Sequence, residues 1–450
     1  MENLTMKEKL LPILSNKKVD MKKEMIGGLT TFLTMAYIIA VNPNILSTTG
    51  MPAGALVTST CLAAGIACIL MGVFANLPFA LASGMGLNAY FAYTVVGQMG
   101  VSWEIALSAV FIEGIIFIIL SLFKVREAVV NAIPKNMKLA VTGGIGLFIA
   151  FIGMVNAGLV VANESTMVEL GHFSPAVIIT VIGLIIIAVL DKKKVKGSIL
   201  WGILISSLIA WGYALINTEA AAALGIYLPT GVFKFEGIGE IAGKVDLVHA
   251  FSPENIKMFI TVIFTFLFVD FFDTAGTLVA VCNRANLVDE TGNLENVDRA
   301  LLADSIGTVI GSIAGTSTVT SFVESTSGVE VGGRTGLTAV TTGVCFLLSV
   351  FFSPLLSCVT SAVTAPALII VGILMAQQLK GIEWDNIVYA ASGFMTVIFM
   401  ILAYSISNGI AIGFITYTVS MIGVGKIKEI KPIVWILDIC FVIFLVFLPK

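Results

Sequence analysis

The chain has 450 residues, 58% of them hydrophobic and 12% charged, with a formal net charge of −3. Soluble domains carry about a quarter charged residues. The composition therefore excludes a soluble enzyme or a nucleic-acid-binding module and leaves an all-α polytopic protein whose first partner is the lipid bilayer.

The first 23 residues hold six lysines and no cleavable signal pattern, and read as a cytoplasmic N-terminal segment. Residues 25–103, 335–379 and 386–425 contain no Asp, Glu, Lys or Arg. Each is long enough for two or more spans of about 20 residues. Fifteen segments follow, roughly 24–48, 52–76, 77–97, 101–123, 135–161, 174–190, 197–217, 256–283, 298–314, 316–333, 335–355, 360–379, 386–402, 404–424 and 431–448. Basic residues cluster at the N-terminus, before span 5 (Lys124, Arg126, Lys135, Lys138), before span 7 (191–196) and before span 15 (Lys426, Lys428, Lys431). A cytoplasmic N-terminus puts all four clusters on that side, as the positive-inside rule asks. The 218–255 connection then lies outside. It divides spans 1–14 into seven plus seven, and an odd number per half gives an inverted repeat. The segment 431–448 is an extra one, either a fifteenth span or a helix lying against the bundle.

Spans 3 and 10, each third in its half, are broken by glycine and polar residues. Matched broken spans point to a transporter site. From Gly311 to Gly328, twelve of eighteen residues are Gly, Ser or Thr, and the only charge is Glu324. Thr316–Thr320 favours a short strand. Ser321 to Glu324 fits a capping box that opens a half-helix. A carboxylate at mid-membrane costs about 2.5–3.5 kcal/mol or more, which favours a functional role for Glu324 over capping alone. In span 3, Gly84-Met85-Gly86-Leu87-Asn88 reads as the start of a second half-helix pointing the other way, with Asn88 able to donate and accept. In span 8, Asp270 and Asp273 stand three apart and share an inward face. One can bind substrate while the other holds a proton. Asp304 and Glu113 are lesser acids with a structural reading, Arg334 reads as an end anchor, and Phe271, Phe272 and Phe322 read as packing. The six cysteines lack metal-ligand spacing and both histidines fall in loops, so no metal or cofactor is expected. Donors beside carboxylate acceptors suit a flat ligand with C=O and N–H on its edge.

Three motifs, ASGMGLNAYFAY, FVDFFDTAGTLVAVCNRANLVDETGNL and GTSTVTSFVESTSGVEVGGRTGL, resemble the AzgA-like purine permeases of the nucleobase–cation symporter-2 family. The resemblance covers nearly the whole chain. It implies a core domain (24–124 and 256–355) moving against a gate domain (131–217 and 360–424), with short strands in spans 3 and 10. It implies uptake of purine nucleobases such as hypoxanthine, guanine or adenine with a proton, sodium being the alternative ion, across the cell membrane. By motif match, Glu324 and Asp273 are the binding carboxylates, and Met85, Gly86 and Asn88 form the span 3 side. A homodimer is also implied. Uracil- and xanthine-type relatives often carry a His or acid four residues after the span 8 carboxylate, where this chain has Thr277. Asp270 and Asp304 therefore become the proton-coupling candidates. The alternatives are an anion transporter on the same repeat, a cation channel, and an intramembrane aspartyl protease. The last requires a Gly-x-Gly-Asp motif that the chain lacks.

Overall fold

A computed structural model describes residues 20–123, 133–229, 231–285, 296–356 and 358–447. Most of the Lys-rich N-terminal segment, Lys124, Arg126, and residues 286–295 of the motif after span 8 lie outside the described residues.

All fifteen segments are present. Among the described residues, eight helices are long and apolar enough to cross a bilayer, and they are spans 1, 2, 4, 5, 6, 7, 12 and 14. Three shorter apolar helices, Gly336–Ser349, Ile387–Leu402 and Pro432–Phe447, are spans 11, 13 and 15. Spans 8 and 9 are the helices Ile256–Ala285 and Val297–Ala314. Many helices begin where a Ser, Thr or Asn side chain accepts from a first-turn N–H: Ser102, Ser174, Thr335, Asn386 and Ser405. These caps satisfy donors that the helix cannot satisfy itself. Span 1 is interrupted by a turn at Ala36–Tyr37, between helices Met21–Met35 and Ile38–Leu46.

Spans 3 and 10 are broken as expected. Strand β1 (Leu81–Ser83) pairs antiparallel with β4 (Val319–Ser321), with Ala82 opposite Thr320. Gly84 N donates to Thr318 O at 3.0 Å and Phe322 N to Ala80 O at 2.9 Å, which extends the pairing at both ends. Irregular backbone at membrane depth survives only when protein satisfies its polar groups, and every residue of both strands is buried. Because the strands run antiparallel, the helices that follow them, from Met85 and from Ser325, leave in opposite directions.

Spans 1–4 and 8–11 pack mainly on one another, and so do spans 5–7 and 12–14. Glycine sets the closest approaches. A Cβ at Gly328 would stand 2.5 Å from Gly27 O, so the half-helix Ser325–Glu330 is seated directly on span 1.

Three expectations need correction. Span 5 ends at Asn156, not near 161, because a hairpin of β2 (Val160–Asn163) and β3 (Met167–Leu170) follows it. The strand in span 10 falls at 319–321 rather than 316–320. The Ser321–Glu324 capping box does not form. Glu324 makes no side-chain cap bond, and the Ser321 hydroxyl donates to Asp304 Oδ1 at 3.4 Å. Tertiary partners outcompete the local motif.

The 218–255 connection lies on the first bundle. Gly243 N donates to Ile313 O at 2.7 Å, and Ile241 is buried against Gly315. Span 15 lies against spans 14 and 8. Phe441 meets Phe414 at 5.5 Å and Phe268 at 4.8 Å, while Ile436, Ile439, Val442 and Ile443 stay exposed on the other face.

Candidate functional site at the crossing of spans 3 and 10

The hydroxyl-rich stretch before Glu324 works as a row of latches to five other spans. Thr316 accepts from Asn42 of span 1 at 2.9 Å and pairs with Ser83 of span 3 at 2.9 Å. Ser317 donates to Asn88 Oδ1. Thr318 donates to Glu113 of span 4 at 2.8 Å. Thr320 pairs with Thr274 of span 8 at 2.9 Å, and Ser321 reaches Asp304 of span 9. All of these side chains are buried. Buried polar groups must be hydrogen-bonded, so Gly, Ser and Thr are what a strand pair needs when surrounded by helices.

Behind the strands is an acidic cluster. The Thr274 hydroxyl stands 3.3 Å from Asp270 Oδ1 and 3.3 Å from Asp304 Oδ2. Asp270 and Asp304 are fully buried. Asp273, three residues on from Asp270, is half-buried instead. It lies within electrostatic reach of Asp304 and Glu324. Glu324 is likewise half-buried. The structure thus brings Asp273 and Glu324 to one place and gives both some exposure, while the acids around them are sealed.

Span 3 closes the site. A Cβ at Gly84 would meet Thr320 Cγ2 at 2.6 Å and Asp273 Oδ2 at 3.6 Å, so only glycine fits between the strand and that carboxylate. Met85 is buried at 7% exposure. Gly86 faces the other bundle: a Cβ there would meet Ile145 Cγ2 of span 5 at 3.0 Å and Ile406 Cδ1 of span 14 at 3.5 Å. Asn88 is fully buried and engaged with Ser317. Phe271, Phe272 and Phe322 are buried, and Phe272 packs on Phe414 of span 14 at 5.5 Å. Thr277 is buried as well. Arg334 Nη1 donates to the carbonyls of Val329 and Gly333, closing the C-terminal end of the half-helix.

Two residues went unnoticed in the sequence. Tyr37 Oη donates to Glu324 Oε1 at 2.5 Å. Its signal was a tyrosine in mid-span, when tyrosine prefers the membrane interface. Glu24, at 3% exposure, accepts from Arg334 N at 3.0 Å, Thr335 N at 3.2 Å and the Thr338 hydroxyl, pinning span 1 to the start of span 11. A lone acid at the edge of an apolar run gave it away only weakly. Among the described residues, no group of three or more His, Cys, Asp or Glu has a metal-binding arrangement.

Residues 22–434 match the profile of the Permease family of xanthine and uracil permeases. The chain is 48% identical over 439 residues to the guanine/hypoxanthine permease PbuG of Bacillus subtilis, covering 95% of this chain and 97% of that one. This chain belongs to the nucleobase–cation symporter-2 family. Within that family it falls in the purine permease branch: the adenine permease AdeP of Escherichia coli is 41% identical over 428 residues, covering 95% of this chain and 93% of the relative. These relatives are transporters, not enzymes. The symporter-2 chain also shares the fold of the transmembrane domain of the cyanobacterial bicarbonate transporter BicA, at TM-score 0.62 and 14% identity, covering 87% of this chain and 97% of that one. That likeness supports the inverted-repeat architecture, while the eight apolar helices among the described residues and the permease relatives make this a multi-pass membrane protein.

Proposed function

We propose that this protein imports purine nucleobases by proton symport, with Glu324 and Asp273 as the carboxylates that hold the base. The observation that carries the reading is that these two acids keep exposure at the strand crossing while Asp270, Asp304 and Glu113 are sealed. A neutral purine offers N–H donors along one edge and ring nitrogen or carbonyl acceptors along another. The carboxylates take the donors through charge-assisted hydrogen bonds, the stronger kind. Met85 and the backbone at Gly86 form the opposing side. Asn88 serves through its bond to Ser317, which fixes the start of the span 3 helix against β4. Relatives named for guanine, hypoxanthine and adenine support the substrate class.

Asp270 and Asp304 are the coupling acids. They stand behind Asp273, joined through Thr274, in a place that excludes water. Intramembrane carboxylates in such positions serve as proton relays. The cycle is a rocking of the core domain (spans 1–4 and 8–11) against the gate domain (spans 5–7 and 12–14), with the N-terminus cytoplasmic. Gly86, set against Ile145 and Ile406, lies on the seam between them.

Uptake of labelled hypoxanthine, guanine and adenine by cells lacking their own permeases, at two pH values, tests this. Uptake that rises at the lower pH and is lost in Glu324→Ala supports it. Unchanged uptake in that variant removes Glu324 from the site. The fold shared with a bicarbonate transporter keeps an anion carrier as the second reading. Competition by bicarbonate but not by purines would favour it.

A further inference from the structure

We infer that Tyr37 is a positioning residue for the substrate. Its hydroxyl holds one oxygen of the Glu324 carboxylate and leaves the other turned to the ligand space beside Asp273. The inference rests on the reading of Glu324 as a purine-binding acid.

The geometry favours this role over simple packing. Tyr37 has 0% exposure. A buried phenol needs a hydrogen-bond partner, and this one finds an acid rather than a backbone carbonyl. The 2.5 Å contact to Oε1 is the one side-chain hydrogen bond to Glu324 among the described residues. A carboxylate has about four lone-pair sites, so Tyr37 and the residue's own backbone N–H leave about half of its acceptor capacity unused. Tyr37 is fully buried while Glu324 keeps partial exposure, so the bond holds the carboxylate from its protein side. Tyr37 is also within electrostatic reach of Asp273.

Local backbone holds the donor in place. The helix of span 1 breaks at Ala36–Tyr37, where Ile39 N bonds Ala36 O at 3.1 Å and Ala40 N bonds Tyr37 O at 3.0 Å. The same span carries Gly27, the seat of the half-helix that begins just after Glu324. Donor and acceptor are therefore fixed by one packed contact surface. Without the hydroxyl, Glu324 retains its place in the chain but its side chain must be ordered by the incoming base. Affinity then falls because binding must supply the ordering.

The test is uptake kinetics of labelled hypoxanthine for the wild type, Tyr37→Phe and Glu324→Gln, with membrane levels measured. Tyr37→Phe keeps the ring and removes only the donor. The expected result is a KM raised about tenfold, the size of one lost bond to a charged group, with a maximal rate within about twofold of wild type. KM does not depend on how much protein reaches the membrane. A wild-type KM with a reduced maximal rate would overturn the inference while leaving the role of Glu324 intact. Uptake unchanged in Glu324→Gln would instead remove the reading on which it rests. Should Tyr37→Phe fail to accumulate, Tyr37→Gln and Tyr37→Leu form a pair matched in size, one with a donor and one without. A lower KM for Tyr37→Gln supports the assignment, and equal values contradict it.

Discussion

The bundle of spans 1–4 and 8–11 buries Glu24, Glu113, Asp270 and Asp304 together with many hydroxyls, whereas the described residues of spans 5–7 and 12–14 bury hydroxyls and amides but no acid. The hydroxyls at the strand crossing also behave differently from those of span 13. Those of Thr316, Ser317, Thr318, Thr320 and Ser321 reach other spans. Ser392 and Thr396 of span 13 bond to carbonyls of their own helix. One bundle thus carries a cross-linked polar interior around Glu324 and Asp273, and the other offers that interior an apolar wall at Ile145, Ile149 and Ile406. Such a division suits a carrier in which one body holds the ligand and the other slides past it, since apolar contacts are non-directional and hydrogen bonds are not.

The comparison breaks most easily at the carboxylates. Glu324→Gln and Asp273→Asn should each lower purine uptake at limiting substrate by about a hundredfold, the upper range for a lost charge-assisted bond. The substitutions should leave the protein in the membrane. An effect under about threefold would place the ligand elsewhere. Next come the latches. Thr320→Val and Thr318→Val each leave a buried polar partner short of a bond, a destabilisation of about 1–3 kcal/mol, read as a fall in the thermal midpoint of the purified protein. Ser392→Ala, in the other bundle, removes a bond to a carbonyl of its own helix and should cost the less, about 0.5 kcal/mol. Equal falls in the two bundles would erase the distinction drawn between them.

A smaller effect is expected at the seam. Gly86→Ala adds a methyl 3.0 Å from Ile145 Cγ2. Uptake rate should fall several-fold with KM nearly unchanged, and Ile145→Ala, which removes the Cγ2 atom the new methyl meets, should restore part of it. No rescue would mean that the seam does not limit transport. The smallest effect is at Asp246, in the outer connection. Its carboxylate accepts from His249 N at 3.0 Å and contacts His249 Nδ1 at 2.6 Å. The backbone bond first, then the side chain, hold its pKa below the usual 3.8. A depressed carboxylate pKa contributes stability above its unfolded value, lost only as pH falls through the folded one. That window lies below about pH 4. Asp246→Asn should leave the pH profile of uptake between 5 and 8 unchanged. A shifted profile would bring this loop into the coupling mechanism.

Much of this was legible in the order of residues. Charge-free runs gave the spans, and Glu324, Asp270 and Asp273 stood out because a charge in an apolar segment needs a reason. The broken spans 3 and 10 were legible as a glycine- and hydroxyl-rich pair at matching places. What could not be read were partners far apart in sequence. Tyr37 and Glu324 are 287 residues apart, and Glu113 and Thr318 are 205 apart. Local pattern gave the wrong answer at Ser321, where a four-residue capping motif lost to Asp304 and Tyr37. It was also silent on which acids would be sealed. Asp270 and Asp273 look equivalent on a helix wheel, and only packing against Thr274 and Gly84 separates them.

Equilibrium binding of tritiated hypoxanthine to the purified protein tests the central claim most directly. Glu324→Gln and Asp273→Asn should each abolish saturable binding that Ser392→Ala retains at wild-type affinity. Saturable binding of wild-type strength in either acid variant would contradict it.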